Sequence, residues 1–89
     1  MQPLRSTQFS YGSEFYELVD SFANGDTGWS GDYEYWGMVN NRGMWIIQRH
    51  QISTNAWRYV NGFNSYPAAW TGKGSLTYVY LYQMSGTTP

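Results

Sequence analysis

Apolar residues lie on both faces of two predicted strands of this chain. Alternate positions of residues 76–84, LTYVYLYQM, place three tyrosines on one face and Val79 and Leu81 on the other. Residues 44–52, MWIIQRHQI, likewise begin with two apolar residues on each face. Because a half-buried strand of a small antiparallel sheet alternates apolar with polar side chains, this pattern predicts a sheet that is covered on both sides.

Turn residues divide the middle of the chain into an antiparallel meander. Asparagine and glycine tolerate the positive φ of tight turns, so we expect the chain to reverse at NNRG and at STN. The predicted strands and turns are, in order, 33–39, 40–43, 44–52, 53–55 and 56–60. Residues 76–84 would then rejoin the sheet after a long irregular connection. The sequence therefore predicts a mainly β fold, a small antiparallel sheet with a meander of three strands plus a C-terminal strand.

The N-terminal region contains a segment that fits two kinds of secondary structure. Its apolar residues follow the i, i+3, i+4, i+7 spacing of an amphipathic helix, and they are Phe15, Leu18, Val19 and Phe22. The same residues alternate tolerably as a strand, but we predict one short N-terminal helix that covers one face of the sheet. The other face would be covered by the long connection or by another chain. We expect an arm or edge strand at 1–12, a single β-rich domain at 13–85 and a flexible tail at 86–89.

Composition bears directly on what covers the second face. The chain has 89 residues, no cysteine and only 12% charged residues, yet a fifth of it is Trp, Tyr or Phe. A domain of this size has a limited core, and charged residues ordinarily make up about 25% of a chain. One interpretation is that Tyr and Trp replace aliphatic residues inside, with their polar tips at the surface. The other is a self-associating protein, whose predicted interface residues are Tyr78, Val79, Tyr80, Leu81 and Tyr82.

The distribution of charge limits the classes of partner. All six acidic residues precede Tyr35, whereas most of the basic residues follow it, and the net charge is −1. A bulk positive charge that would attract nucleic acid is therefore missing, so no nucleic-acid partner is predicted. There is also no apolar run that would predict membrane insertion. The asymmetry predicts that acidic and basic halves pair, within one subunit or between neighbours.

Residues suited to catalysis or metal binding are few. The chain has one histidine, His50, and the nearest carboxylate pair is Asp32 and Glu34. Alternating oxygen-bearing residues at 24–32 are similar to a calcium loop and make Asp26 and Asp32 the candidate ligands, but Gly28 stands where a ligand should be. We therefore predict no enzyme activity, no cofactor and no metal site.

Scattered aromatic and polar residues support an alternative function in carbohydrate binding. Indole rings stack on the apolar faces of sugars, while neighbouring amides and guanidinium groups bind hydroxyls. The candidate residues for such a glycan site are Trp29, Trp57, Arg58, Asn61, Asn64, Tyr66 and Trp70. The same residues would also suit a loop packed against the sheet.

One long stretch of the chain resembles a known class of proteins. It reads MWIIQRH, then WRYVNGF, then WTGKGSLTY from Trp70 to Tyr78. This order of motifs resembles small proteins encoded among the structural genes of tailed bacteriophages, over about residues 33–82. Lys73, in place of the usual arginine, and Gly74 depart from it. The resemblance implies a virion component of the tail or fibre, assembled in the host cytoplasm, with copies of itself and other virion proteins as partners.

Three functions follow from these observations. The first is a non-enzymatic structural or assembly protein of a phage particle that self-associates or docks on other virion proteins. The second is a carbohydrate-binding module that adheres to bacterial surface glycans. The third is a small adaptor or inhibitor that binds a host protein.

Overall fold

A single five-stranded antiparallel sheet forms the body of the protein. The computed structural model describes residues 8–84, and each strand pairs with its neighbours in the sequence, in the order β1-β2-β3-β4-β5. The strands are β1 (Gln8–Tyr11), β2 (Glu14–Phe22), β3 (Tyr33–Val39), β4 (Met44–Gln51) and β5 (Ala56–Phe63). A short helix, α1 (Tyr66–Thr71), and two 3-10 turns (Lys73–Ser75 and Leu81–Gln83) follow. The predicted mainly β fold is confirmed, whereas the predicted tail at 86–89 lies outside the described residues.

The three central strands form the meander that the turn residues predicted. Asn40 shapes the β3–β4 turn, since its side-chain oxygen accepts hydrogen bonds from the backbone N–H groups of Arg42 and Met44. Gly43 adopts φ 85°, a conformation that favours glycine. Asn55 takes φ 55° in the β4–β5 turn. β5 continues to Phe63, three residues beyond the predicted strand.

The predicted N-terminal helix is wrong, because its residues form β2. This strand pairs with β1 on one side and β3 on the other. A register shift between Leu18 and Asp20 marks a β-bulge, and the extra residue breaks the two-residue alternation. Because of this extra residue, the apolar residues of a strand follow the spacing of a helix. In the structure Tyr16, 2% exposed, is the residue that enters the core, whereas Phe15 is 66% exposed.

The predicted C-terminal strand is also wrong. Within residues 76–84, only Val79 pairs with the sheet, through an isolated bridge to Tyr59 at the free edge of β5. Two backbone hydrogen bonds of 2.7 and 2.8 Å form this bridge. The chain then turns through Leu81–Gln83 and buries Met84. The segment crosses the edge of β5, so its apolar residues are divided between the two faces of the sheet.

One face of the sheet, the inner face, encloses the main core. The sheet curls so that Phe9 of β1 stacks on Tyr59 of β5, with ring centroids 6.2 Å apart. The buried cluster on this face consists of Tyr16, Met38, Met44, Ile46 and Met84. The curl brings the first and last strands together, which gives a small sheet an enclosed interior.

The opposite, outer face is covered in its centre by the chain itself. Ile47 is fully buried there and Trp45 nearly so. Gly37 leaves a slot in β3 that Tyr66 and Trp70 of α1 fill, since a Cβ at this position would collide with both rings. The Tyr66 hydroxyl donates a 2.8 Å hydrogen bond to Asp20. The long connection thus supplies the second cover, which was one of the two alternatives that the sequence left open.

Candidate interaction surface

Three consecutive large side chains stand at the surface near the end of the described chain. Tyr80 is 46% exposed, Leu81 39% and Tyr82 81%. The two tyrosine rings lie nearly parallel, with centroids 5.6 Å apart and an interplanar angle of 12°. The Gln83 side chain accepts a hydrogen bond from the Tyr80 backbone N–H and holds the turn. Apolar area is therefore presented to solvent in a defined arrangement.

Arg58 of β5 forms the base of this arrangement. Its guanidinium carbon lies 3.9 Å from the centroid of the Tyr80 ring, the geometry of a cation–π contact. The same guanidinium donates a 2.9 Å hydrogen bond to the Trp57 carbonyl. We call the residues Arg58, Tyr80, Leu81 and Tyr82 the C-terminal patch. It combines a fixed positive charge with two stacked phenol rings.

A second arginine lies directly beside this patch. Arg49 of β4 is the cross-strand partner of Arg58, and its guanidinium lies between the rings of Tyr33 and Tyr78, at 4.6 and 4.4 Å from their centroids. Like charges opposite each other destabilise a sheet, and among residues 8–84 neither arginine forms an ion pair with a carboxylate. The rings thus hold two cations side by side on the outer face.

The structure divides the five predicted interface residues into two groups. Tyr78 packs within the chain, with its hydroxyl donating to the Lys73 carbonyl at 2.8 Å, and burial raises the pKa of this phenol well above its usual value. Val79 belongs to the bridge with Tyr59. The other three, Tyr80, Leu81 and Tyr82, are exposed. Tyr78 and Val79 therefore serve the fold, and only the last three are free for a partner.

The residues of the predicted glycan site lie in separate places. Trp57 and Asn61 point to the inner face, Arg58 points to the outer face, and Tyr66 and Trp70 pack into the Gly37 slot. Trp29, in the loop before β3, donates its indole N–H to the Tyr33 carbonyl, and the Asn64 carbonyl accepts from the Trp45 indole. Trp57, at 37%, is the most exposed tryptophan of this set. Its ring stacks on that of His50, with centroids 4.1 Å apart. These residues do not form one sugar platform.

The carboxylates near the predicted calcium loop are engaged in turns. Asp32 accepts hydrogen bonds from the Ser53 hydroxyl and backbone N–H and from Gln51, and these bonds lower the pKa of its carboxyl group. Asp26 accepts from the Ala23 backbone N–H at 2.7 Å. Glu34 lies 2.9 Å from His50 Nδ1. Across the described part of the chain, no three potential metal ligands among His, Cys, Asp and Glu come together.

An open groove of about 680 Å³ lies elsewhere, between the start of β2 and the β3–β4 turn. Phe15, Glu17, Val39 and Asn40 are among its lining residues. The helical interpretation of β2 concealed this groove. The strand interpretation places Phe15 and Glu17 on one face, two residues apart, and would have found it.

The comparisons with known proteins add no family or relative. Scans against protein-family models, curated proteins and solved structures found no match. Within residues 8–84, no helix has the length and apolar character needed to span a membrane. Two features of the chain bear on its function, the geometry of this site and the residues that carry the resemblance.

Proposed function

We propose that this chain is a non-enzymatic assembly protein that associates with a protein partner through the C-terminal patch. The observation that supports the proposal is the exposure of Tyr80, Leu81 and Tyr82, at 46, 39 and 81%, in a segment anchored on both sides. Tyrosine and arginine are enriched at protein interfaces and at their energetic hot spots. A stacked, cation-supported pair loses little side-chain freedom on binding, so more of the contact energy remains as affinity.

The setting we propose for this association is the particle of a tailed bacteriophage, in its tail or fibre. The resemblance of MWIIQRH, WRYVNGF and WTGKGSLTY to small phage structural proteins supports this setting. The low share of charged residues, 12%, supports it as well, because a subunit in an assembly buries surface that a free protein must keep solvated. Copies of the chain and other virion proteins are the corresponding partners.

The mass of the protein in solution tests the proposal. Light scattering coupled to size-exclusion chromatography should give a mass above the 10.3 kDa of one chain at high micromolar concentration. The double variant Leu81→Ser, Tyr82→Ser should return to the monomer mass. Ile52→Ser is the matched control, because Ile52 is 40% exposed in the β4–β5 turn and does not belong to the patch. A wild-type protein that stays monomeric, alone and with its candidate virion partners, would contradict the proposal.

A second candidate, glycan binding, rests on one residue of the predicted set. Trp57 presents part of its indole ring to solvent while His50 and Trp36 support it from within, at 4.1 and 5.7 Å. A glycan array with the wild type and Trp57→Ala separates the two candidates. Saturable binding that Trp57→Ala abolishes, by a protein that is monomeric in solution, would favour the glycan candidate.

A further inference from the structure

A second exposed patch lies on the outer face of β2. Phe15 is 66% exposed and Val19 47%, and Glu17 between them is also exposed. Within residues 8–84 the Glu17 carboxylate forms no ion pair. We call Phe15, Glu17 and Val19 the β2 patch. It presents a negative charge between two apolar side chains.

The groove described above opens beside the β2 patch. Its volume of about 680 Å³ leaves room for a large side chain of a second protein molecule. Phe15 and Val39 offer apolar contact there, and the Asn41 side chain offers an amide for hydrogen bonding. Such a lining suits an aromatic ring that carries one hydroxyl, which is the side chain of tyrosine.

The two patches are complementary but are separated in one molecule. The C-terminal patch has a cation beside two phenol rings, and the β2 patch has an anion beside a phenyl ring and a groove. β3 and β4 lie between β2 and β5 in the sheet, so the two patches belong to strands that do not pair with each other. Phe15 is 66% and Tyr82 81% exposed, so residues 8–84 of one copy leave both rings uncovered.

We propose that the C-terminal patch of one copy docks on the β2 patch of a second copy, with Tyr82 in the groove and Arg58 paired with Glu17. This inference rests on the proposed function and names its partner. A contact between two different surfaces of the same chain is heterologous, so it propagates into a closed ring or an open filament.

The charges favour this head-to-tail arrangement over a two-fold dimer. In a two-fold dimer formed by the C-terminal patch, each copy would bring Arg58 and the adjacent Arg49 toward the same two residues of its partner. In one formed by the β2 patch, Glu17 would face Glu17 in the same way. Like charges placed together at an interface oppose association, whereas the head-to-tail contact pairs opposite charges.

Complementation between two blocked variants tests the proposal. Tyr82→Ser removes the ring and leaves the groove intact, whereas Glu17→Arg reverses the charge of the β2 patch and leaves the C-terminal patch intact. Both residues are exposed, so circular dichroism should show an unchanged fold. We expect each variant alone to remain near 10.3 kDa and an equimolar mixture to form a one-to-one dimer that grows no further.

Each alternative outcome has a distinct meaning. If Glu17→Arg alone associates as the wild type does, the β2 patch is not the partner surface, the head-to-tail arrangement is wrong, and the proposed function stands with a different contact. If the wild type itself is monomeric, self-association is absent, and only docking on another protein survives from the proposed function. If the mixture stays monomeric although the wild type associates, the complementarity of the two patches is contradicted.

Charge reversal supplies an independent measurement. Arg58→Glu should weaken self-association at least tenfold in dissociation constant, and the double variant Arg58→Glu, Glu17→Arg should recover most of that loss. The absence of cysteine in the natural chain also permits a covalent test. Mixing Ser13→Cys, at the groove, with Leu81→Cys leaves Tyr82, Arg58 and Glu17 in place, and under oxidising conditions it should give a mixed disulfide dimer faster than either variant forms its own. Equal rates for the three dimers would overturn the assignment.

Discussion

The last nine described residues contain two regions of similar composition and opposite environment. Tyr78 packs on Arg49 of β4, Val79 forms the bridge to Tyr59, and Met84 is buried in the core of the inner face. Tyr80, Leu81 and Tyr82, between them, point to solvent. The difference arises because the chain crosses the edge of β5 and then turns, so that the anchors lie on each side of a short projecting loop.

This comparison separates residues that stabilise the fold from residues that are available for binding. This chain has more hydrophobic side chains than one small domain encloses. Not all of the surplus side chains are available for an interface. The central part of the outer face is closed by α1 and Tyr78. Part of the excess lies in the C-terminal patch and the β2 patch, and further exposed side chains are Tyr33, Ile52, Trp57 and Phe63. A substitution in the closed region should therefore change stability, whereas one in an open patch should change association.

The largest effect on stability is expected from Gly37→Val. A Cβ at this position collides with the Tyr66 hydroxyl and the Trp70 ring, so α1 must move away from the sheet and expose Ile47. Overpacking of this kind costs about 3 kcal/mol, read from urea unfolding followed by tryptophan fluorescence. Gly74→Val is the matched control, because a Cβ there meets no atom within 4 Å. Equal stability of the two variants would mean that α1 does not close the outer face.

Met84→Ala should have the next largest effect. Met84 is 8% exposed and packs in the inner-face core, and truncating a buried methionine to alanine costs about 2 kcal/mol or more. Tyr82→Ser, two residues earlier, should change the free energy of unfolding by less than about 0.5 kcal/mol. Thermal melts of dilute samples of both variants measure the contrast. If the two losses were similar, the division of this segment into anchored and open regions would be wrong.

Tyr66→Phe should have a moderate and pH-dependent effect. It removes the hydrogen bond to Asp20, which costs about 1 kcal/mol near neutral pH. Burial, then the hydrogen bond to Asp20, raise the pKa of Tyr66 well above its usual value. Tyrosine in an unfolded chain ionises at about pH 10. Above that pH the unfolded state loses the Tyr66 proton before the folded state does, so the free energy of unfolding falls as the pH rises.

The dependence of stability on pH above neutrality tests the burial of Tyr66. Urea titrations at about pH 9 and about pH 11, on either side of the tyrosine pKa, should show a smaller loss for Tyr66→Phe than for the wild type. Tyr82→Phe is the control. The Tyr82 ring is 81% exposed, so this substitution should leave the dependence of stability on pH unchanged. A Tyr66→Phe protein with the slope of the wild type would place Tyr66 outside the closed region.

Apart from the control variants, Arg58→Met should have the smallest effect on stability. It keeps the aliphatic stem and removes the cation over the Tyr80 ring, and exposed cation–π contacts contribute about 0.5–1 kcal/mol. Arg42→Met is the control, since Arg42 pairs with Glu14 rather than with a ring. For Arg58→Met, but not for Arg42→Met, the loss in free energy of association should exceed the loss in free energy of unfolding. The reverse order would assign Arg58 to the fold.

The sequence predicted the meander well because its turns have local causes. The Asn40 side chain and the positive φ of Gly43 and Asn55 depend on residue type, with little help from the rest of the chain. β2 was misassigned because its bulge at Val19 comes from pairing with β3, which local spacing does not encode. Tertiary pairing determined the structure there.

The candidate site could be predicted only in part. The alternation of residues 76–84 showed more apolar side chains, including three tyrosines, than a half-buried strand requires. It also predicted the same environment for Tyr78 and Tyr82, because it placed them on one face. Their difference depends on where the chain crosses β5, a long-range property. The neighbouring positions of Arg49 and Arg58 follow from the register of β4 and β5, so placing the 52–55 turn correctly would have revealed them.

Hydrogen exchange followed by mass spectrometry, in dilute and concentrated samples of the wild-type protein, tests the central claim most directly. If the C-terminal patch associates with the β2 patch of another copy, peptides covering residues 80–84 and 14–19 should gain protection as the concentration rises. A peptide covering the 52–55 turn should exchange at the same rate in both samples. Exchange that is independent of concentration in all three peptides, in a protein that remains folded, would contradict the claim.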